Sequence, residues 1–429
     1  MKSKIIDELP ELVKNQVISE EIALRIRNFY QSQQSDAPGK LFTVFGVLGA
    51  LLVGLGIILI LAHNWDDFSR SLKTFLAFLP LIIGQFLVGY AILKKKSSTW
   101  KEASGTFLFF AVGGSIALVS QIYNIPGDLS AYVLIWIVLC LPLIYLLKSH
   151  SVAILHTVFS TFYACSLGYG FNAAPQVPWL YLLLMVLMLP HYVHLLKQHP
   201  QANMTSIFNW LVPLSVIITL GAFLERNGDL GYLMYVILFG LFYSVGKIPA
   251  FHTQKLRRNG YLIFGSFGTI ILLLITSFNG IWDFKMDAAV FTSREFYITS
   301  FLFCLSSGLL VYLYRKQWLK RTNLFHFVFI IFTVVFFSGL ANGVMATIAV
   351  NVLVLALGLI TIKIGTDQFH FGILNYGLLI ITALIVCRFF DTDMSYIIRG
   401  FLFVSVGIGF FFTNYVMLKK KKSILKSNN

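Results

Sequence analysis

Long apolar runs separated by short polar stretches make up the chain from about residue 41 onward. Each run has about 17–24 residues, enough for a helix rising ~1.5 Å per residue to cross ~30 Å of hydrocarbon. The pattern predicts an all-α, polytopic bundle of twelve to fourteen transmembrane helices, with fourteen the preferred count. The fourteen spans are 41–63, 72–93, 103–122, 129–147, 150–170, 178–196, 207–224, 231–247, 259–279, 296–314, 323–339, 343–363, 369–388 and 396–418.

The first 36 residues follow a different pattern, with apolar residues at helical spacing among many charges. Ile5, Leu9 and Val13 lie on one face of a first helix, and a second helix is predicted to begin at Ser19. Ser19 suits that position because its hydroxyl can accept from N–H groups of the first turn. Two short helices bury little area alone, so this cytoplasmic hairpin is expected to dock on the membrane domain or on a protein partner. The predicted hairpin, transmembrane domain and basic tail are residues 1–36, 41–418 and 419–429.

Composition supports the membrane assignment. Apolar residues are 57% of the chain and charged residues 12%, against roughly 25% charged in soluble domains. The net charge of +15 comes in short clusters between apolar runs, such as Lys94–Lys96 and Lys419–Lys422. With fourteen spans and a cytoplasmic N-terminus, 26 of the 33 lysines and arginines fall inside, as the positive-inside rule requires. The charge therefore indicates loops at lipid headgroups, not nucleic-acid binding, and places both termini in the cytoplasm.

Few residues offer catalytic or metal chemistry. The four cysteines lie in or at the ends of apolar runs without metal-ligand spacing. His191 and His194 lie at a cytoplasmic helix end, where polar interfacial contacts are expected instead of a metal. No motif of an intramembrane protease or hydrolase is present. We predict no cofactor, no metal and no catalytic residues.

No Asp, Glu, Lys or Arg lies near the middle of a predicted span. Coupled carriers and proton pumps usually keep such a charge at mid-membrane depth, so proton-coupled transport is disfavoured. Uncharged polar residues remain in the spans, and each either joins two helices by a hydrogen bond or lines a path for a lipid or small solute. They are Gln85, Gln121, Asn351, Asn375 and Asn414.

Polar and aromatic residues gather at the predicted outer ends of several helices. The first group lies at the end of span 41–63 and just beyond it, and the second lies at the end of span 103–122 and just beyond it. They form either an aromatic belt with helix caps or one outward-facing polar site, completed by the last outer loop. The candidate residues are His63, Asn64, Trp65, Asp66, Asp67, Arg70, Gln121, Tyr123, Asn124, Asp128, Arg388, Asp391 and Arg399.

Small residues also repeat at four-residue spacing in the first span. Gly46, Ala50 and Gly54 would let another helix approach closely, either within the bundle or in a homo-oligomer.

Three features of residues 1–150 resemble one family in combination. They are the N-terminal pattern from Leu12 to Tyr30, the glycine-rich first span running into Ala62–Asp66, and Gln121–Asn124 followed by Gly127–Asp128. The chain is similar here to the "domain of unknown function 2157" family of predicted bacterial membrane proteins. The resemblance implies a location in the bacterial inner membrane and names no substrate.

These observations favour a transporter- or flippase-like protein for a lipid or small uncharged solute, with membrane lipids as its surroundings. One alternative is a membrane scaffold or sensor whose hairpin binds a cytoplasmic protein. The other is an enzyme that acts on a lipid-linked substrate at the outer face, with Asp66 and Asp67 as its acidic groups. A path for a solute predicts a cavity that reaches Gln121 and Asn64.

Overall fold

A computed structural model describes residues 4–32, 65–170, 175–224, 230–283, 288–318 and 322–391, with isolated helical positions between 397 and 418. All regular structure within these residues is helical, which confirms the all-α prediction. The chain divides into two compact units, residues 1–76 and 77–429. The predicted span 41–63, with Gly46, Ala50 and Gly54, lies outside the described residues.

The first unit contains the predicted hairpin. Helices α1 (Lys4–Lys14) and α2 (Glu20–Ser32) pack against each other. The Ile22 N–H donates to the Ser19 hydroxyl at 3.4 Å, and Arg25 pairs with Glu21 at 2.7 Å. Ser19 therefore lies where a cap was expected.

The second unit is a bundle of apolar helices, of which α3 begins in the first unit. Nine of the described helices are long and apolar enough to span a membrane, and α9, α10 and α12 are shorter. Together these twelve helices match twelve of the fourteen predicted spans. Their bounds are α3 Arg70–Leu93, α4 Ser98–Tyr123, α5 Leu129–Leu147, α6 His150–Gly168, α7 Trp179–Gln198, α8 Asn203–Leu220, α9 Leu230–Val245, α10 Gly260–Thr276, α11 Arg294–Arg315, α12 Val328–Gly339, α13 Gly343–Asp367 and α14 Phe371–Asp391.

Side-chain caps fix where many of these helices begin. In each case a side-chain oxygen accepts from an N–H of the first turn, which would otherwise lack a partner. The capping residues of α5, α6, α10, α11 and α13 are Asp128, Ser149, Asn259, Ser293 and Asn342.

Helix α9 lies at the centre of the bundle. Twelve of its 16 residues are buried, and it packs against α10, α11 and α12. Its length of ~24 Å is short for a bilayer of ~30 Å. Protein, not lipid, surrounds most of this helix, so it need not match the hydrocarbon thickness. Its residues contribute to both large apolar clusters, Met234 and Phe239 to one and Val236 and Ile237 to the other.

Helix α12 begins later than the predicted span 323–339. A 3-10 turn at Leu324–His326 precedes it, and Asn323 and His326 cap that turn reciprocally. This 3-10 turn, which the polar side chains stabilise, lies where the sequence predicted the first turn of the helix.

Candidate functional site

Helices α3, α4 and α5 enclose a groove of about 850 Å³. Helices α3 and α4 approach closely at Gly84, where an added Cβ would lie 3.2 Å from the Leu108 Cα. They meet again where the Ser115 hydroxyl donates to the Ala77 carbonyl at 2.7 Å. The third wall is α5, and the sides of the groove are mainly apolar, including Phe78, Leu81, Val112, Ile116, Ile135 and Leu139.

The predicted outer end of the groove is a short polar loop at 124–128. Asn124 ends α4 in the left-handed region, with φ of 50°, and its own N–H donates to the Gln121 carbonyl. Asp128 begins α5 by accepting from the Ala131 N–H at 2.7 Å. The Ser120 hydroxyl donates to the Ile125 carbonyl at 2.9 Å. These local bonds hold the loop in place beside the groove.

The structure places the second group of sequence candidates in two positions. Asp128 lines the groove, as do Ile125, Pro126 and Gly127. Gln121, Tyr123 and Asn124 are exposed beside this end of the groove and are not among its lining residues. The lining of the groove on α4 ends at Ser120, so Gln121, which the sequence predicted to lie in the cavity, is not among its lining residues.

Polar groups also occur along the length of the groove. Tyr132 lines the groove, and its hydroxyl donates to the Gly113 carbonyl at 3.0 Å. Gln85 exposes its amide on α3, ~12 Å from the helix end at Leu93. An amide at that depth is costly against lipid tails unless something there accepts or donates a hydrogen bond.

The first group of candidates belongs to the first unit. Trp65, Asp66 and Asp67 form a turn before α3, in which both carboxylates are exposed. The Lys73 ammonium lies 5.9 Å from the Trp65 ring centroid and donates to the Asp66 carbonyl at 3.5 Å. Arg70 is the first residue of α3. His63 and Asn64 lie outside the described residues. The described part fits an interfacial aromatic with neighbouring charges.

Arg388, one candidate of the last outer loop, contacts residues at the end of another helix. Arg388 on α14 donates to the Ser277 hydroxyl at 3.1 Å, and its guanidinium lies 4.7 Å from the Phe278 ring centroid. The Asn351 amide donates to the Ser277 carbonyl at 3.1 Å. Arg388 thus belongs to a cluster of residues at α10, α13 and α14. Asp128 instead accepts its hydrogen bond from its own helix, α5, so the hydrogen bonds described for these two outer candidates do not join them. Asp391 ends α14 with its side chain outside the description, and Arg399 lies outside the described residues.

A carboxylate that sequence patterns did not single out joins three helices at their predicted cytoplasmic ends. Glu102, just before the predicted span 103–122, accepts from the Ser149 hydroxyl at 2.5 Å. It also accepts from the backbone N–H groups of His150 and Ser151, both at 2.8 Å. His150 Nδ1 lies 3.1 Å from His191 Nε2 on α7, the kind of polar contact expected of His191. Ser149 lies 47 positions after Glu102 in the sequence, which explains why local patterns missed the cluster.

The pKa of Glu102 reflects two opposing effects. Burial raises it, and the hydrogen bonds from Ser149, His150 and Ser151 lower it by more, so the pKa lies below its usual value. The carboxylate is therefore ionised at neutral pH, and its charge lies at the positive end of the α6 dipole.

In the part of the chain that the structure describes, no group of three or more His, Cys, Asp or Glu side chains is arranged to hold a metal ion. Cys140, Cys165 and Cys304 form no disulfide, and Cys140 is buried.

Comparisons with known proteins identify a family match in the N-terminal third. No curated protein and no solved structure matches the chain significantly. The matched residues run from the hairpin through the groove helices α3, α4 and α5 to the first turn of α6, which confirms the resemblance found in the sequence. Residues 10–153 of this integral membrane protein match the family described as "predicted membrane protein (DUF2157)".

Proposed function

We propose that this protein binds a membrane lipid in the groove of α3, α4 and α5 and moves it across the bilayer in a flippase-like manner. The observation that carries the proposal is the groove itself, with apolar walls and polar groups at one end and part-way along. Its lining on α5 extends from Leu129 to Leu143, ~21 Å along the helix axis. One leaflet contributes ~15 Å of hydrocarbon, so the groove is long enough to continue past the bilayer midplane.

The polar groups of the groove suit the headgroup of such a lipid. Asp128 and Ser120 lie at the predicted outer end, where a headgroup would enter. Deeper in the groove the Gln85 amide offers hydrogen bonds to a polar group in passage. The groove helices carry no acidic or basic residue near mid-depth, so movement down the lipid's own gradient fits better than coupling to protons.

Filling the groove should block the lipid without disturbing the fold. We expect Leu139→Trp to reduce both lipid retention and transfer about tenfold, since its indole would occupy space that a lipid tail needs, an effect of about 1.4 kcal/mol. Leu139 and Val138 are similarly exposed on α5, at 58% and 49%, and only Leu139 lines the groove. Val138→Trp is therefore the matched control. Native mass spectrometry measures the retained lipid, and dithionite quenching of a fluorescent lipid in liposomes measures its transfer.

The outcome separates a lipid path from an incidental gap. Equal transfer by the Leu139→Trp and Val138→Trp proteins would contradict the proposal. Gln85→Leu then tests passage separately from binding. We expect Gln85→Leu to slow the transfer of the lipid and to leave the retention of the lipid unchanged. The substitution removes only the hydrogen bonds at mid-depth and leaves the apolar walls that hold the lipid tails. If protein-free liposomes and wild-type liposomes show the same transfer rate, the groove binds lipid at most and moves none.

A second proposal concerns the hairpin, which we infer binds a cytoplasmic protein. Val17 and Leu24 expose most of their apolar side chains, at 66% and 58%, and Ile22 is also exposed. In cells, deleting residues 1–36 should then abolish the function of the protein, while its insertion into the membrane and its lipid transfer persist. A deletion strain that behaves like wild type would exclude this role.

A further inference from the structure

The hydroxyl groups in the described lining of the groove of α3, α4 and α5 all donate to backbone carbonyls. The donor–acceptor distances are 2.7 Å for Ser115, 2.9 Å for Ser120 and 3.0 Å for Tyr132. A hydroxyl carries a single proton, so these groups have no further donor hydrogen for a ligand and can only accept from it. The hydroxyls of the groove therefore favour a ligand that brings its own hydrogen-bond donors.

Asp128 adds a negative charge at the predicted outer end of the groove. It is exposed, and its carboxylate accepts from the Ala131 N–H at 2.7 Å. Among the described residues that line the groove, there is no lysine, arginine or histidine. Asp128 also makes no ion pair with any residue that the structure describes. Its charge is therefore open to a cation that enters the groove.

The neighbouring helix ends do not compensate this charge. The positive end of the α5 dipole begins at Asp128, and the negative end of the α4 dipole lies close to it in sequence, at Asn124. Each end is equivalent to roughly half an elementary charge, and the two have opposite signs, so they largely offset each other. The carboxylate of Asp128 therefore determines the sign of the potential at this end of the groove.

We propose that the lipid in the groove carries a protonated primary amine in its headgroup, as phosphatidylethanolamine does. The ammonium supplies both a positive charge for the Asp128 carboxylate and N–H donors for an end of the groove that offers acceptors. Deeper in the groove, the Gln85 amide provides a carbonyl oxygen for the ammonium and N–H groups for the phosphate. This inference rests on the lipid binding proposed above and adds the chemical class of the headgroup.

Three headgroups separate the effect of charge from that of donor capacity. Phosphatidylethanolamine has an ammonium with N–H donors, phosphatidylcholine has a cation without them, and phosphatidylglycerol has hydroxyl donors with a net negative charge. We expect the full-length protein to retain and transfer phosphatidylethanolamine about fivefold better than phosphatidylglycerol, the effect of an exposed ion pair. Phosphatidylcholine should lie between them. Native mass spectrometry measures retention, and dithionite quenching of the labelled lipids in liposomes measures transfer.

Asp128→Asn removes the charge and keeps the helix cap, because asparagine and aspartate cap helices about equally well. We expect this variant to retain phosphatidylethanolamine and phosphatidylglycerol nearly equally. Asp283→Asn is the matched control. Asp283 is an exposed carboxylate at the end of the 3-10 turn that follows α10, and it does not line the groove. The Asp283→Asn protein should keep the wild-type preference.

Ala131→Lys changes the charge at the same end without altering the capping side chain. Ala131 is exposed and lines the groove, and it gives Asp128 only its backbone N–H. An ammonium at this position should compensate Asp128 and shift the preference toward phosphatidylglycerol. This variant tests the proposal even if Asp128→Asn fails to fold.

The two measurements distinguish the headgroup from the movement of the lipid. Equal retention of phosphatidylethanolamine and phosphatidylglycerol, or an unchanged preference in Asp128→Asn or Ala131→Lys, would overturn the headgroup assignment. Equal transfer of all three lipids would also overturn it, while the proposed lipid movement would stand. The expected retention without transfer above that of protein-free liposomes would support the headgroup assignment and contradict the movement. If no lipid is retained or transferred above background, both proposals fail.

Discussion

Replacing Gly265 with alanine is expected to lower the free energy of unfolding by about 3 kcal/mol, because α9 and α10 touch backbone to backbone there. A Cβ at this position would lie 2.4 Å from the Tyr243 nitrogen, 2.7 Å from its Cα and 2.8 Å from the Phe239 carbonyl oxygen. None of these atoms belongs to a flexible side chain that could turn away. The two helices would have to separate, and α9 is the helix that joins the two apolar clusters.

Gly308 on α11 supplies the control. A Cβ there meets nothing within 4 Å. Gly308→Ala should therefore change the stability by no more than about 1 kcal/mol, in the stabilising direction that helix propensity predicts. Thermal unfolding of the two variants in one detergent, monitored by size-exclusion chromatography, measures the difference. If Gly265→Ala and Gly308→Ala unfold at the same temperature, the contact between α9 and α10 is looser than these distances indicate.

Removing the Glu102 carboxylate is expected to lower the free energy of unfolding by about 2–3 kcal/mol. The reason is that this carboxylate accepts three hydrogen bonds at the start of α6. Glu102→Ala leaves two backbone N–H groups and the Ser149 hydroxyl without this acceptor. Glu102→Gln retains one acceptor oxygen, so it should lower the free energy of unfolding by roughly half as much as Glu102→Ala. If Glu102→Ala unfolds at the wild-type temperature, water replaces the carboxylate at no cost.

The same carboxylate predicts the pH dependence of stability. Hydrogen bonds hold its pKa below the usual value of 4.5, so the folded protein favours the charged form more than the unfolded chain does. The contribution of this carboxylate to the free energy of unfolding is therefore complete at neutral pH, and it declines as the pH falls below about 4.5. The difference in melting temperature between wild type and Glu102→Gln should narrow over that range. A constant difference from pH 7 to pH 4 would contradict the assignment.

Many helix boundaries could be read from the chain because each depends on neighbours in sequence. The predicted span 129–147 coincides with α5, since Asp128 caps its first turn and Lys148 lies just beyond its last. The split of the apolar stretch 323–363 into two helices also holds, because Asn342 caps α13. The start of α12 was wrong by five residues, since the contacts of Asn323 and His326 with each other and with Tyr243 favour a 3-10 turn over a helix.

The candidate sites were less accessible to sequence reasoning. Asp128 was singled out and does line the groove, whereas Leu139 looks like any lipid-facing leucine of α5. Glu102 was assigned only to a loop, and its partners lie on another segment of the chain. No local pattern connects Glu102 to Ser149.

By itself the sequence determined that this is an all-helical membrane protein, and it located twelve described helices and the hairpin. Hydrophobic length and capping are local properties, which is why they could be read in this way. Only the tertiary structure decided which apolar faces form the groove, that α9 is enclosed by protein, and which polar groups meet. Lipid tails are as apolar as a protein core, so hydropathy does not distinguish a helix face that meets lipid from one that meets another helix.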